Sequence, residues 1–243
     1  MSVTPATTTQ IAALTTTQVA TLTTTQVSSL SSMQLRALNS AQIRSITIAN
    51  IVQLTSAQIS LITTTIISSL TSNQISALET SDVLILNSTQ IRAFNTSQIN
   101  ALRTEQVRAL SASQLAGFST QQIIGLSSTQ IPMLEAEDLA AFSSSQFAVM
   151  TSSQLAGLSG SQLGSLATED FKALSATQIK GFSSNVISAM TTTQLAFLSS
   201  TQLTALTSTQ LRGLHVDQLT GFNLDGFTTS QVSVLMSAIQ NLA

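Results

Sequence analysis

The sequence predicts an all-α solenoid of short helices, one for each eight-residue repeat. Three observations predict it. From residue 7 to residue 222 the chain repeats every eight residues, 27 times without losing register, on the pattern Thr/Ser-x-x-Gln-Ile/Leu-x-Ala/Gly-Leu. The side chains at the first and fourth positions of that unit are the ones that cap helix starts. Acids and bases are sorted to opposite ends of the unit, as a helix dipole favours. A fixed period is the signature of repeat architectures, in which each unit packs mainly on its neighbours.

The chain opens on a short N-terminal lead-in, residues 1–6, where Thr4-Pro5 reads as a cap followed by proline at the first helical position. The array then begins almost at once. This end has little of its own to hide a core, so it is expected to accept another copy. Residues 7–222 form the repeat itself, with positions numbered 1 to 8 from Thr7 and octads 1 to 27 along the chain.

Position 1 is Thr, Ser or Asn in 22 of 27 octads, the residues whose side chains accept from a free backbone N–H at a helix start. Position 4 is Gln in 21 octads, and with position 1 it makes a capping box. Asp82, Asp138, Asp170 and Asn50 replace Gln with another acceptor. Positions 5 and 8 are apolar in all 27 octads. An uninterrupted helix would turn this pattern by about 80° per octad and wind its apolar face around the rod. A heptad coiled coil is equally excluded. A short helix per octad uses the pattern instead, with position 8 and the next position 5 forming a hydrophobic staple, as Leu14 with Val19.

Nine of the ten acids sit at positions 1, 3 or 4, and seven of the eight bases sit at position 6. That asymmetry suits a helix and marks position 6 as solvent-facing. Position 7 is mostly small. Either glycine ends the helix in the left-handed conformation, or the next unit crowds the site. Ala is commoner than Gly there, which favours crowding. Pro132 falls at position 6, where it forfeits a helical hydrogen bond, so its octad is expected to end early or distort. The alternative fold is a β-solenoid, since the N-terminal octads are rich in Thr, Ile and Val. Later octads exchange these for Ser and Leu without disturbing the period, which suits a capped helix better than a strand.

The period fails after Phe222. Residues 223–243 hold a five-residue turn, Asn223-Leu-Asp-Gly-Phe227, one more octad from Thr228 to Leu235, and an extension to Ala243. No Thr cap follows that last octad, so its helix is expected to run on as a C-terminal cap.

Composition bounds the function. Charged residues are 7% and the net charge is −2, with no basic run, which excludes a nucleic-acid interface. The longest apolar run, Val83 to Leu86, is far short of the roughly 20 residues that span a bilayer. With no cysteine there are no disulfides and no thiolate metal sites, a composition that suits an exported protein. Residues 1–15 lack the basic start and apolar core of a signal peptide, so export would use a C-terminal signal or a larger precursor. His215 is the single histidine and stands at a cap position, which excludes a His-based triad or a multi-His metal site. Glu135, Glu137 and Asp138 are the densest acidic group, and acids at a helix start account for them. Asn223 to Gly226 lacks the ligand ladder of a calcium loop and reads as a turn. No Ser or Thr has a base with an orienting partner. No catalytic, cofactor-binding or metal-binding residue is therefore predicted, no cofactor is expected, and enzymatic activity is not.

The run Leu14-Thr-Thr-Thr-Gln-Val-Ala-Thr-Leu22 and its relatives resemble octapeptide tandem arrays of large bacterial secreted or surface proteins, loosely labelled adhesin-like or haem-utilisation proteins. The resemblance covers residues 7–222. It implies export to the bacterial cell surface or beyond and a scaffolding role, and it transfers no catalytic residue.

The expected function is a non-enzymatic structural protein that self-assembles, end to end or laterally, into an extracellular fibre, sheet or scaffold, since a nearly neutral surface has little like-charge repulsion. A second reading is a module that binds ice or glycans through rows of Ser and Thr, with glycans or other surface proteins as partners. A third is an α-solenoid scaffold for protein partners, for which Phe94, Phe118 and Phe142, spaced by 24 residues, would form a column if one turn holds three octads. Their place at position 8 favours a core role.

Overall fold

The computed structural model describes residues 6–219 and 224–240. Thr4-Pro5, Phe222 and Asn223 lie outside the described residues. Among those described there are 27 short α-helices, two 3₁₀ turns and no strand, so the fold is a tandem array of short helices. The chain divides into two compact units, residues 1–125 and 126–243, although the eight-residue register runs on through the division.

Octad 1 shows how one unit folds. Thr7 is extended, with φ −75° and ψ 161°, and its hydroxyl accepts from the Gln10 N–H, while the Gln10 side-chain oxygen accepts from the Thr7 N–H at 2.8 Å. The helix runs from Thr8 to Ala12. It is closed by Ile11 N–H to Thr7 C=O and Ala13 N–H to Thr9 C=O, and a tighter bond from Leu14 N–H to Ile11 C=O ends it. Position 8 then returns to extended backbone and the next cap follows. An isolated helix needs roughly 12–15 residues to be even marginal in water, so five-residue helices persist only through caps and tertiary packing.

The packing has one rule. Within each unit, helices lie on the helix three octads away. In the first unit Thr8–Ala12 packs on Ser32–Arg36, Thr16–Ala20 on Ser40–Ser45, and Thr96–Asn100 on Thr120–Gly125. In the second, Ser152–Ala156 packs on Ala176–Gly181 and Ser184–Ser188 on Ser208–Arg212. Within each unit a turn of the solenoid therefore holds three octads, and the helices form three stacks. Position 5 is buried in every octad from Ile11 to Leu211, and position 8 is buried from Leu30 to Leu214 except at Leu54. Full burial of such a side chain is worth about 1.5–3 kcal/mol, so the twofold apolar row is the main driving force. Phe94 and Phe118 lie in this core, and in the second unit the Phe142 ring tilts against Phe147 with centroids 5.8 Å apart.

Octad 16 departs from the α pattern for the expected reason. Pro132 has no N–H to give to the carbonyl four residues back. Residues Ile131–Met133 form a 3₁₀ turn instead, yet Ile131 and Leu134 keep their buried places.

At the period break a short turn takes the place of a helix. The 3₁₀ turn Leu224–Gly226 packs on Ser200–Ala205, where a helix of octad 28 would pack. The helix after it, Thr229–Gln240, packs on Ser208–Arg212, as octad 29 would. That last helix runs for 12 residues, longer than any other among the described residues. A Cβ on Gly226 would meet Leu203 Cδ1 at 2.8 Å, so the short turn sits tightly on the stack.

Candidate functional site

The molecule's distinctive chemistry is at position 4. From Gln42 onward most position-4 glutamines are buried, and their amides work in both directions. Gln98 is representative. Its Oε1 accepts from Asn95 N–H at 2.8 Å, completing the capping box of its own helix. Its Nε2 donates to the carbonyls of Ile67 and Leu70, both at 2.7 Å and 31 and 28 residues earlier in the chain. Those two carbonyls lie at the end of the octad four back, just before the octad one turn below, at a helix end where backbone acceptors have bonding capacity to spare. Gln58, Gln74, Gln106, Gln202 and Gln210 make the same pair of long-range bonds. The amide thus joins the start of one helix to the end of another, and within each unit successive layers are hydrogen-bonded through side chains.

The substitutions at this position separate the two halves of the task. Asp82, Asp138 and Asp170 each accept from the N–H of their cap residue, as predicted, and have no donor to give downward. Asn50 does the reverse. The prediction that it replaces Gln as an acceptor is not met; its Nδ2 donates to Leu22 C=O at 2.8 Å and its octad has no capping box. One methylene shorter than Gln, it meets one of the two partners and not both: Asn50 takes the layer below, whereas the aspartates take their own cap. Burial raises the Asp82 carboxyl above its ordinary value, against the Glu79 N–H bond, and the Glu79 charge adds to the rise. Burial likewise raises Asp138, with Glu135 and Glu137 contributing after it.

The second seam is steric. Within each unit, position 7 comes up against position 2 three octads earlier. A Cβ on Gly181 would stand 2.8 Å from both the Cβ and the carbonyl oxygen of Ser152, and one on Gly125 would stand 2.9 Å from the Thr96 carbonyl oxygen. The cap glycines Gly117, Gly157 and Gly213 have φ between −75° and −85°. Crowding rather than a left-handed turn therefore keeps position 7 small. Polar side chains use the same approach. Ser69 Oγ donates to Ser40 Oγ at 2.7 Å, and Arg36 at position 6 bonds the Leu61 carbonyl of the layer above through both Nε and Nη2.

The outer surface holds what is left. In the first unit an open groove of about 560 Å³ is lined by Arg44, Thr71, Ser72, Asn95, Thr96 and Ser97, among others. Ser72, Thr96 and Ser97 also line a neighbouring hollow of about 450 Å³ that reaches Ile124. Large apolar side chains are exposed chiefly where an octad departs from consensus. Met33, Leu61, Leu84 and Ile85 all fall on the stack formed by Ser32–Arg36, Ser56–Leu61 and Thr80–Leu84. His215 is exposed, and its backbone N–H is capped by Gln218 at 2.7 Å. Glu135, Glu137 and Asp138 sit at the start of one helix, Ala136–Ala140. Among the described residues no group of three or more His, Asp or Glu converges as a metal site would require, and no helix is long and apolar enough to cross a membrane.

Three stretches, residues 75–111, 131–168 and 163–200, match a family model described as the ALTTAQ repeat. Read as residues, that description runs from position 7 of one octad to position 4 of the next, through both seams described above. The match supports a tandem-repeat protein, and the structure makes it a helical one. No curated protein matches the chain.

Proposed function

We propose that this is a non-enzymatic structural protein of the bacterial exterior that associates with copies of itself through the sides of its helix stacks. The carrying observation is the apolar row on one stack of the first unit. Met33 is 71% exposed, Leu61 49%, Leu84 54% and Ile85 38%, on three helices that lie one upon the next. Consensus octads put small or polar residues at these places. A chain with 7% charged residues carries little repulsion to keep such surfaces apart. Export and a surface address rest on the octapeptide resemblance and the absence of cysteine.

Sedimentation velocity and negative-stain microscopy at rising concentration test the proposal. Concentration-dependent particles or filaments are expected, and a variant carrying Met33→Ser, Leu61→Ser and Leu84→Ser should stay monomeric. Monodisperse monomer at every concentration would overturn it. The groove at Thr71, Ser72, Asn95, Thr96 and Ser97 supports a second reading, recognition of a neutral glycan by hydroxyl and amide groups, which a glycan array tests directly. Ice binding is less well supported. The Thr-rich octads 1, 2 and 3 belong to three different stacks, so their threonines do not share one flat face.

A further inference from the structure

We infer that Asp82 is an acid-sensitive joint: when its carboxyl is protonated it donates to the Leu54 carbonyl and completes a layer contact that is open while it is ionised. The inference rests on the position-4 pattern. Wherever Gln occupies this place with its partners in the same unit, a side-chain N–H reaches the position-8 carbonyl 28 residues earlier, as Gln58 reaches Leu30 at 2.7 Å and Gln106 reaches Leu78 at 2.8 Å. For Asp82 that carbonyl belongs to Leu54, and it receives no hydrogen bond. Leu54 is also the one position-8 residue between Leu30 and Leu214 that is not buried.

A side chain of aspartate length is long enough for the contact. Asn50 has the same number of atoms and reaches the matching Leu22 carbonyl at 2.8 Å. What an ionised Asp82 lacks is the hydrogen. Its one hydrogen bond is the acceptance from Glu79 N–H at 3.1 Å, which uses Oδ2. Asp170 has a second donor in Ser144, at 3.0 Å to Oδ1; Ser56, in the matching place for Asp82, makes no such bond.

The surroundings do not favour a carboxylate. Residues 45–78 contain no charged side chain, so the helix below, Ser56–Leu61, offers no cation. The helix above, Thr104–Arg108, carries Glu105 and Arg108 and is preceded by Arg103. Arg103 gives its guanidinium to the Ser76 and Leu78 carbonyls and pairs with Glu105. Glu79, on Asp82's own octad, adds a like charge. Because the folded-state value is raised, the folded chain holds this proton more tightly than the unfolded chain does. The stabilisation is therefore complete below the ordinary aspartate value of about 3.9 and is lost as pH rises through the folded value.

The test compares urea midpoints of the full chain with those of Asp82→Asn and Asp82→Gln at pH about 7 and at pH about 3. Asp82→Asn mimics the protonated acid, and Asp82→Gln restores both halves of the amide's task. Both variants should be more stable at neutral pH, by about five-fold or more in the folding equilibrium constant. The advantage of Asp82→Asn should vanish at the acidic pH, where the native chain carries its own proton. No gain at neutral pH, or a gain that is the same at both, overturns the inference. A carboxyl-carbon NMR titration of the unmodified chain tests it independently, since Asp82 must titrate above the ordinary value; titration at or below that value overturns it as well.

Discussion

Gln98 shows why this repeat uses glutamine and not glutamate, although either residue satisfies a capping box. An amide has a donor as well as an acceptor, and both ends are spent. Gln98→Glu should keep the cap to Asn95 and lose both bonds to Ile67 and Leu70, leaving a buried carboxylate against two carbonyl oxygens. Losing such partners costs about 1–3 kcal/mol, more with a charge, so urea denaturation should show a loss of that order that shrinks on acidification. The glycines give a second contrast. Gly181→Ala drives a methyl into Ser152 and should destabilise by about 1–3 kcal/mol. Gly164→Ala meets nothing closer than 3.9 Å, and in a helix it should be neutral or stabilising by about 0.5–1 kcal/mol. Thermal melts of the two variants side by side check both.

At the level of the octad, the local half of the design is legible in the sequence and the long-range half is not. Thr at position 1 and Gln three residues on are read directly as a cap, because the chemistry closes within one turn of helix. Crowding at position 7 is legible too, from Ala outnumbering Gly. The donor half of Gln is hidden, because its target lies 28 residues away and depends on the number of octads per turn, which a period does not fix. For the same reason the sequence assigns Asn50 the wrong half of the task, and residues 223–227 read as a turn outside the period although Leu224–Gly226 packs where an octad's helix would. Pro132 is legible as a distortion, but its partner is not: a Cβ on Gly157 would stand 2.6 Å from Pro132 Cγ. Gly157→Ala should therefore be harmful in the native chain and tolerated with Pro132→Ala. A double-mutant cycle should return a coupling within about 0.5–3 kcal/mol, and a coupling of zero would refute the contact.

At the scale of the molecule, stability within each unit should follow nearest-neighbour arithmetic, because its helices pack on those three octads away and bond to the octad beside them. Deleting octad 11, residues 87–94, moves each later helix of its unit onto a different but equivalent neighbour, and the variant should keep a cooperative helical melt by circular dichroism. Deleting residues 87–92 leaves two residues to cover one side of a turn, a reach of only about 7 Å. At the period break a 3₁₀ turn, Leu224–Gly226, takes a helix's place. The six-residue deletion should therefore lose helical signal and melt at lower temperature, whereas the longer eight-residue deletion should not.

The glutamine clamp grips main-chain carbonyls, and every residue has one. For this clamp a newly copied octad therefore needs no matching side chain in whichever octad it lands upon. Unequal recombination within so repetitive a gene would add or drop copies without first breaking the fold, and copy number would drift more freely than residue identity. The length of the array is then a heritable variable in its own right, adjustable in steps of eight codons.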